Sequence, residues 1–216
     1  MSRSSTICIQ QHPTIDLESE LWQQGYSAIA GLDEAGRGAW AGPLYAAAVV
    51  LPNDAHVMDV LAGVNDSKKM TAKQRERWKD CIKAVSLDWA IGSADPQEID
   101  RLGITAANRT AMQRAIQQLH YPPDYLLVDY IRLPDCQLPQ SSLPKGDGLS
   151  LSIAAASVLA KTARDALMID LDRRFPRYGF AQHKGYGTAR HRAALQAQGT
   201  CAIHRMSFAP MKFMQR

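Results

Sequence analysis

The stretch "AIAGLDEAGRGAWAGPLYAAAVVL", residues 28–51, decides the fold. Its two apolar runs, "AIAGLD" and "LYAAAVVL", have the length and composition of buried strands, and glycine-rich turn signals separate them. The stretch therefore predicts a hairpin of two core strands. The first strand is expected to end at Asp33, so that a second acid, Glu34, follows it directly.

The segments outside this hairpin predict a mixed α/β domain. Two further apolar runs, residues 86–94 and 125–130, favour a third and a fourth strand. A crossover must return the fourth strand beside the first, which makes the two parallel. Helical periodicity and helix start signals predict helices over residues 14–24, 66–85, 95–102, 105–119, 149–175, 188–198 and 209–215.

Acidic residues stand at the ends of two of these strands. Asp33 ends the first and Asp129 the fourth, so both are expected at the same edge of the sheet. Strand side chains alternate between faces, so Asp33 and Glu34 converge only where the strand breaks, as Gly36 and Gly38 permit. Crowded carboxylates repel one another, and a hard cation such as Mg²⁺ or Mn²⁺ removes that conflict. The alternative is a solvated loop or a helix cap.

A further acid, Asp165, lies inside the long helix predicted over residues 149–175. Lys161 precedes it by one helical turn, and this spacing alone favours an exposed Lys-Asp pair.

Composition bounds the possible classes of protein. The 216 residues are 46% hydrophobic and 21% charged, which favours one globular domain, and no apolar run is long enough to span a membrane. The N-terminus lacks a secretory apolar region, so a cytoplasmic location is expected. The cysteines are far apart in the sequence and are expected to be reduced thiols; they are Cys8, Cys81, Cys136 and Cys201.

Charge is unevenly distributed along the chain. Residues 161–216 hold eleven Lys and Arg against three Asp and Glu, whereas the whole chain has a net charge of +4. This basic segment favours a polyanionic partner, although a solvated basic face would have the same composition. The patterns GxSxG, HExxH and GxxxxGK[ST] are absent, which argues against hydrolase-fold, zincin and P-loop chemistry.

Several motifs, taken in order, resemble the ribonuclease HII family. Besides the opening stretch they are "DSKKM", "LLVDY", "KGD", "SIAAASVLAKTARDALM", "YGFAQHKGYGT" and "HRMSFAP", and the resemblance extends from Ile29 to Pro210. It implies a ribonuclease H-like α/β fold: a mixed five-stranded sheet flanked by helices, with a C-terminal helical extension. Residues 1–26 would be a variable N-terminal segment and residues 27–216 the catalytic domain with its basic helical part.

The resemblance also implies an activity. The family's enzymes hydrolyse the RNA strand of RNA–DNA hybrids and incise at ribonucleotides embedded in duplex DNA, leaving 5′-phosphate and 3′-hydroxyl ends by two-metal-ion catalysis. Asp33, Glu34 and Asp129 match the metal-binding carboxylates. Asp165 matches the fourth active-site acid, against the spacing argument above. The implied cofactors are Mg²⁺ or Mn²⁺, and a monomer without membrane contact is expected.

Substrate-binding residues are implied in the same way. Gly36, Arg37 and Gly38 match a backbone-mediated sensor of the ribonucleotide, and Tyr186 matches the tyrosine that packs on the adjoining deoxynucleotide sugar. Further phosphate or strand contacts are expected at Ser67, Lys68, Lys69, Lys145 and Lys184.

The chain departs from the family pattern at two places. Tyr130 stands where the family commonly has glycine, and "GAW", ending at Trp40, replaces a more usual "GPL"; both add bulk near the expected site. Two other functions stay open: a noncatalytic nucleic-acid-binding module, and a DNA nuclease of the same fold. The motif formed by residues 36–38, together with Tyr186, argues against the second.

Overall fold

The computed structural model describes residues 12–214. Its five strands are β1 (Ile29–Ala35), β2 (Leu44–Val50), β3 (Asp88–Ala94), β4 (Tyr125–Asp129) and β5 (Gln140–Leu143). Its helices are α1 (Asp16–Gln23), α2 (Val57–Val60), α3 (Ala72–Val85), α4 (Pro96–Leu102), α5 (Ile104–Gln117), α6 (Leu151–Arg174), α7 (Phe180–His183), α8 (Ala189–Gln198) and α9 (Met211–Met214). None of the helices in this part of the chain is both long and apolar enough to cross a membrane.

The strands form one mixed sheet in the order β3-β2-β1-β4-β5. β1 is antiparallel to β2 and parallel to β4, which confirms the predicted hairpin and crossover. The sheet is flanked by helices and followed by C-terminal helices, as the family resemblance implies. The central strand, β1, is therefore covered on both edges along most of its length.

Helices cover both faces of the sheet. Ala30 and Leu32 face α5, whereas Ala35 faces α6. Because side chains alternate along a strand, β1 contributes to both apolar clusters. The long helix lies unusually close to the sheet: a Cβ atom on Gly31 would stand 2.2 Å from the backbone carbonyl carbon of Ser152. The alanine-rich sequence of α6 suits this close packing. A third cluster, which includes Met168, lies among α6 and the C-terminal helices.

Local sequence explains where the helices begin. Thr71 caps α3 in a reciprocal capping box with Gln74, so that helix starts at Ala72 and not at residue 66 as predicted. Asp95 caps α4 through Glu98, directly before a proline at the first helical position. The other predicted helices lie within a few residues of their expected bounds.

Two features of the sheet differ from the predictions. The first strand does not end at Asp33: its pairing with β2 continues through Glu34↔Ala46 to Ala35↔Tyr45. The fifth strand, β5, was implied by the family resemblance but not located in the sequence. Its four residues, "QSSL", are half-buried and mostly polar, so they carry no apolar alternation. The single-turn helices α2 and α7 were likewise not predicted.

The first described residues pack on the same core. Thr14 donates its backbone N–H to the Leu149 carbonyl, and the buried Glu18 accepts hydrogen bonds from Ser150 and Ser152 at the start of α6. The division at residues 26 and 27 stays a prediction. Cys8 lies outside the described residues, and the other three cysteines are free thiols as expected.

Candidate metal centre

Three carboxylates meet at the edge of the sheet where β4 ends. Asp33, Glu34 and Asp129 each place an oxygen within 4.8 Å of the others. The parallel pairing of β1 with β4 stops at Leu32↔Val128, so the edge of β1 is open beside the two acids that follow. This open edge lets side chains from both faces of β1 approach Asp129.

The two neighbouring acids leave opposite faces of β1. Asp33 is 2% exposed and lies against Ser157 of α6, whereas Glu34 lies on the side of Asn108 of α5. Both carboxylates nevertheless reach Asp129 around the strand's free edge. The expectation that the strand must break for them to meet is therefore wrong.

Burial and mutual repulsion disfavour the charged form of this cluster. Burial raises the pKa of Asp33 well above its usual range, and the charges of Glu34 and Asp129 raise it further. Burial also raises the pKa of Glu34 and that of Asp129. A bound cation would reverse all three effects.

The hydrogen bonding of the cluster is incomplete. The Glu34 backbone N–H donates to Asp33 Oδ1 at 2.6 Å, and the Gly146 N–H donates to Asp129 Oδ1 at 2.8 Å. Among the described residues, Asp33 Oδ2 and Glu34 Oε2 are buried without any hydrogen-bond partner. An all-oxygen set with unpartnered buried oxygens fits a hard divalent cation such as Mg²⁺ or Mn²⁺.

Two further acids, which the sequence analysis did not single out, lie beside this cluster. Asp147 is buried and Asp66 faces it, and both line a cavity of about 1,020 Å³ together with Glu34 and Asp129. Burial raises the pKa of Asp147, and the charge of Asp66 raises it further. Asp147 belongs to the motif "KGD" and Asp66 to "DSKKM", both noted above. Neither acid stands at the end of a predicted strand, so the argument that singled out Asp33 and Asp129 does not apply to them.

Asp165 lies apart from these acids. Its carboxylate accepts from Lys161 Nζ at 2.7 Å and from Arg75 Nη2 at 3.1 Å. The three side chains are largely buried, so the pair predicted from helical spacing is present but not exposed. The structure does not bring Asp165 into the group of converging oxygens formed by Asp33, Glu34 and Asp129.

The glycine loop after β1 borders the acids. Gly36 has a φ of +88°, and a Cβ atom there would lie 1.9 Å from Arg164 Nε, so the fold itself requires glycine. At Gly38 nothing lies within 4 Å of an added Cβ, so packing within the chain does not require glycine there. A cavity of about 430 Å³ joins this loop to Glu34 and Tyr186.

Tyr186 stands at the far side of that cavity, in the turn between α7 and α8. Its ring lies 5.6 Å from Lys161 Nζ and 5.5 Å from the Arg164 guanidinium carbon. A third cavity, of about 420 Å³, continues from Tyr186 past Asp165. Because neighbouring cavities share lining residues, the three form one groove that runs from the carboxylate cluster to the Tyr186 turn, with basic side chains along its whole length.

The expected phosphate contacts are distributed along this groove. Lys69 and Lys145 line the acidic cavity, and Lys184 lines the cavity that holds Asp165. Burial alone would lower the pKa of Lys68, but the surrounding carboxylates, Asp33 first, outweigh burial and raise it.

Ser67 differs from these lysines because it is buried. Its hydroxyl lies 2.8 Å from that of Ser157, the residue that also lies against Asp33. Ser67 also lines the cavity that joins the glycine loop to Tyr186, so it lies at the wall of the groove beside the acids.

The two departures from the family pattern have separate surroundings. Tyr130 has a φ of 60°, a conformation that favours glycine, and its ring is 62% exposed beneath the Arg37 guanidinium at 5.6 Å. Trp40 packs against Gly187, where a Cβ atom would stand 2.2 Å from its ring. Trp40 therefore adds bulk at the Tyr186 turn, whereas Tyr130 adds it at the acidic cavity.

Comparisons with known proteins agree on one family. The family model described as Ribonuclease HII matches residues 30–211. The ribonuclease HII of Syntrophotalea carbinolica is 56% identical over 191 residues, which cover 88% of this chain and 90% of that protein.

Two solved structures show the same fold. Ribonuclease H2 from Pyrococcus horikoshii OT3 superposes with a TM-score of 0.74 at 24% identity, covering 87% of this chain and 97% of that one. Bst-RNase HIII in complex with Mn²⁺ has a TM-score of 0.64 at 19% identity, covering 86% and 68%. At these identities the likeness is one of fold.

Proposed function

From the premise that this chain belongs to the ribonuclease HII family, and is therefore a ribonuclease H that acts on RNA–DNA hybrids, we propose a more specific activity. The protein incises the RNA strand of hybrids and also cuts at single ribonucleotides embedded in duplex DNA. The products carry 5′-phosphate and 3′-hydroxyl ends.

The convergence of Asp33, Glu34 and Asp129 carries this proposal. Buried oxygens that lack hydrogen-bond donors are costly unless a cation binds them, and the groove beside them is lined by lysines that suit a phosphate backbone. A purely nucleic-acid-binding module would gain nothing from such a cluster, because acids beside phosphates repel the ligand.

We assign the fourth acid of the centre to Asp147 in place of Asp165. Asp147 is buried, shares its cavity with Glu34 and Asp129, and has one cationic neighbour among the described residues, Lys68 Nζ at 3.7 Å. Asp165 is paired more closely, with Lys161 at 2.7 Å and Arg75 at 3.1 Å. Two divalent cations bound by these carboxylates would activate a water and stabilise the leaving oxygen. The chain's own contribution is to hold the carboxylates at one edge of a rigid sheet.

Recognition of the ribonucleotide would fall to residues 36–38 and to Tyr186. Gly38 lies on the cavity wall without a packing reason to be glycine, which suits close approach of a sugar to the backbone. Tyr186 faces the same cavity and offers an aromatic surface to the neighbouring sugar. Together they would select an RNA–DNA junction, since only the 2′-hydroxyl distinguishes its two sides.

Three labelled substrates test the proposal: a DNA duplex with one ribonucleotide, an all-DNA duplex, and a continuous RNA–DNA hybrid. Each is incubated with Mg²⁺, Mn²⁺ or a chelator. We expect metal-dependent cutting of the first and third only, with 5′-phosphate ends. Cutting of the all-DNA duplex at a similar rate would contradict the proposal, and binding without cutting in either metal would favour a binding module. Cytoplasmic location and a monomeric state stay predictions from the sequence.

A further inference from the structure

The turn that carries Tyr186 is held by groups outside it. Lys184 and Gly185 both adopt left-handed backbone conformations, with φ of 51° and 82°. Arg164 Nη1 donates to the Lys184 carbonyl at 2.9 Å, and His191 Nδ1 lies 3.1 Å from the Tyr186 carbonyl. Because a left-handed lysine is unfavourable on its own, these outside contacts fix the shape of the turn.

The contact from His191 is the last member of a chain of hydrogen bonds. The Cys201 backbone N–H lies 2.9 Å from His204 Nδ1, His204 Nε2 lies 3.1 Å from His191 Nε2, and His191 Nδ1 faces the Tyr186 carbonyl. His191 and His204 are buried, so these groups must satisfy one another.

The two ends of this chain determine where its protons are. His204 Nδ1 lies near three atoms of Cys201: the backbone nitrogen at 2.9 Å, and Sγ and the carbonyl oxygen at 3.2 Å each. The contact with the backbone N–H is the shortest, and with His204 Nδ1 as its acceptor the proton of His204 is on Nε2. That proton is donated to His191 Nε2, which leaves the His191 proton on Nδ1. A carbonyl only accepts, so this last proton is donated to Tyr186. The hydrogen bonds therefore run in one consistent direction, from Cys201 to Tyr186, with both imidazoles neutral.

A third imidazole supports this arrangement. His183 stacks on His191 with ring centroids 4.4 Å apart and an interplanar angle of 12°. The Gly185 N–H donates to His183 Nδ1, so His183 carries its proton on Nε2 and donates it to the Tyr178 carbonyl. Burial lowers the pKa of His191 to about 4, which agrees with a neutral ring at neutral pH.

We propose that His191 and His204 are positioning residues for Tyr186, which they hold through the directed chain of hydrogen bonds that starts at Cys201. His191 orients the Tyr186 carbonyl, and His204 acts through His191 by fixing its tautomer. The inference rests on the proposed function, in which Tyr186 packs on the deoxynucleotide sugar at the junction. Neither histidine belongs to the carboxylate cluster.

Paired substitutions separate hydrogen bonding from packing. His191→Asn keeps an N–H donor near the position of Nδ1, and His204→Gln keeps one near Nε2, whereas His191→Phe and His204→Phe keep only the ring. On the single-ribonucleotide duplex we expect each Phe variant to lower kcat/KM by about tenfold, the effect of one lost hydrogen bond, mainly through KM. The Asn and Gln variants should stay within about threefold of the parent. Cleavage of the continuous hybrid should change less, since fewer of its sites present a junction.

Phe180→Leu is the matched packing control. Phe180 contacts the His191 ring edge-on but makes no side-chain hydrogen bond. The Phe180→Leu substitution should lower thermal stability without changing the preference between the two substrates. The melting temperature of each variant shows whether it is folded under the assay conditions. Phe variants that cleave both substrates like the parent, or a Phe180→Leu variant with the same loss of preference, would overturn the positioning role.

Nitrogen-15 chemical shifts of the imidazoles test the chain of hydrogen bonds without an activity assay. At neutral pH we expect the proton on Nε2 of His204 and on Nδ1 of His191. A protonated imidazolium or the opposite tautomer at His191 would overturn the inference even if the parent cuts as proposed. Conversely, a parent enzyme that does not cut the single-ribonucleotide duplex overturns the proposed function, and with it the role of Tyr186, whatever the tautomers are.

Discussion

The two ends of the groove bury charge in opposite ways. At the sheet edge, Asp33 and Glu34 lie beside Asp129 with buried oxygens that have no donor among the described residues. Behind the other end, under the loop after β1 and the Tyr186 turn, Arg164 and Arg205 are fully buried, and the guanidinium of each donates to main-chain carbonyls.

The arginines are satisfied largely by carbonyls of the chain itself, although Arg205 Nη2 is buried without a partner among the described residues. Arg164 donates to the carbonyls of Ala41, Pro43 and Lys184, and so ties the loop after β1 to the Tyr186 turn. Arg205 donates to Gly42 and to Arg37 in the same loop. Burial lowers the pKa of Arg205 to about 9, which still leaves it charged at neutral pH.

This difference in hydrogen bonding distinguishes the carboxylates, which form a ligand site, from the arginines, which support the fold. The acids repel one another, and Asp33 Oδ2 and Glu34 Oε2 are buried without a donor among the described residues, so this end is complete only with a cation. The arginines have several neutral acceptors each, so they hold the recognition loop in shape without a ligand. Neutralising one charge should therefore have opposite effects at the two ends: lost activity with gained stability at the acids, and lost stability at the arginines.

The largest effect is expected for Asp33→Asn. The substitution removes a metal ligand but leaves the basic side of the groove intact, so cleavage should fall by about 10³-fold or more while binding to the hybrid duplex changes little. Single-turnover cleavage and fluorescence anisotropy with labelled duplex measure the two quantities.

Asp135→Asn, at an exposed acid, is the control and should cleave like the parent. Parent-like turnover by Asp33→Asn would show that the acidic end is not the reaction centre. Lost duplex binding would show that the two ends are not independent.

Arg164→Met tests the basic end. It leaves three carbonyls, one buried and two partly buried, without their donor, and we expect the free energy of unfolding to fall by about 2 to 4 kcal/mol. Urea denaturation monitored by circular dichroism measures the loss. Arg173→Met is the matched control, because Arg173 lies on the same helix with an exposed side chain and should change stability by less than about 0.5 kcal/mol. Equal stability of Arg164→Met and the control would mean that the carbonyls find other partners.

The sequence allowed most of the sheet and of the acidic cluster to be predicted. Apolar runs predict four of the five strands, and the crossover predicts Asp129 beside Asp33 from the sequence alone. The polar strand β5 was not located, because its half-buried residues lack an apolar pattern. The end of β1 was misplaced because an Asp-Glu pair predicts a turn, whereas pairing with β2 continues through it.

The remaining acids show the limit of a one-dimensional pattern. Asp165 was matched to the centre by the family resemblance, yet spacing had indicated its actual partner, Lys161. Asp147 was not singled out, because its place follows from the loop between β5 and α6 and not from any periodicity. The buried arginines and histidines were also missed, since their partners are backbone carbonyls, which no residue type in the sequence marks.

The smallest effect is expected for the free energy of unfolding of Asp33→Asn, compared with the parent in the absence of metal. Because burial raises the pKa of Asp33, the penalty on the folded state is absent below the unfolded value of about 4, grows as pH rises above it, and is complete above the folded pKa. At neutral pH in chelator, Asp33→Asn should therefore be more stable than the parent by about 1 to 3 kcal/mol, and this gap should close as pH falls toward 4. Saturating Mg²⁺ at neutral pH should also close it, since cation binding stabilises the parent alone. Urea denaturation across this pH range measures the gap, and a gap that does not change with pH would mean that Asp33 is not destabilised by its surroundings.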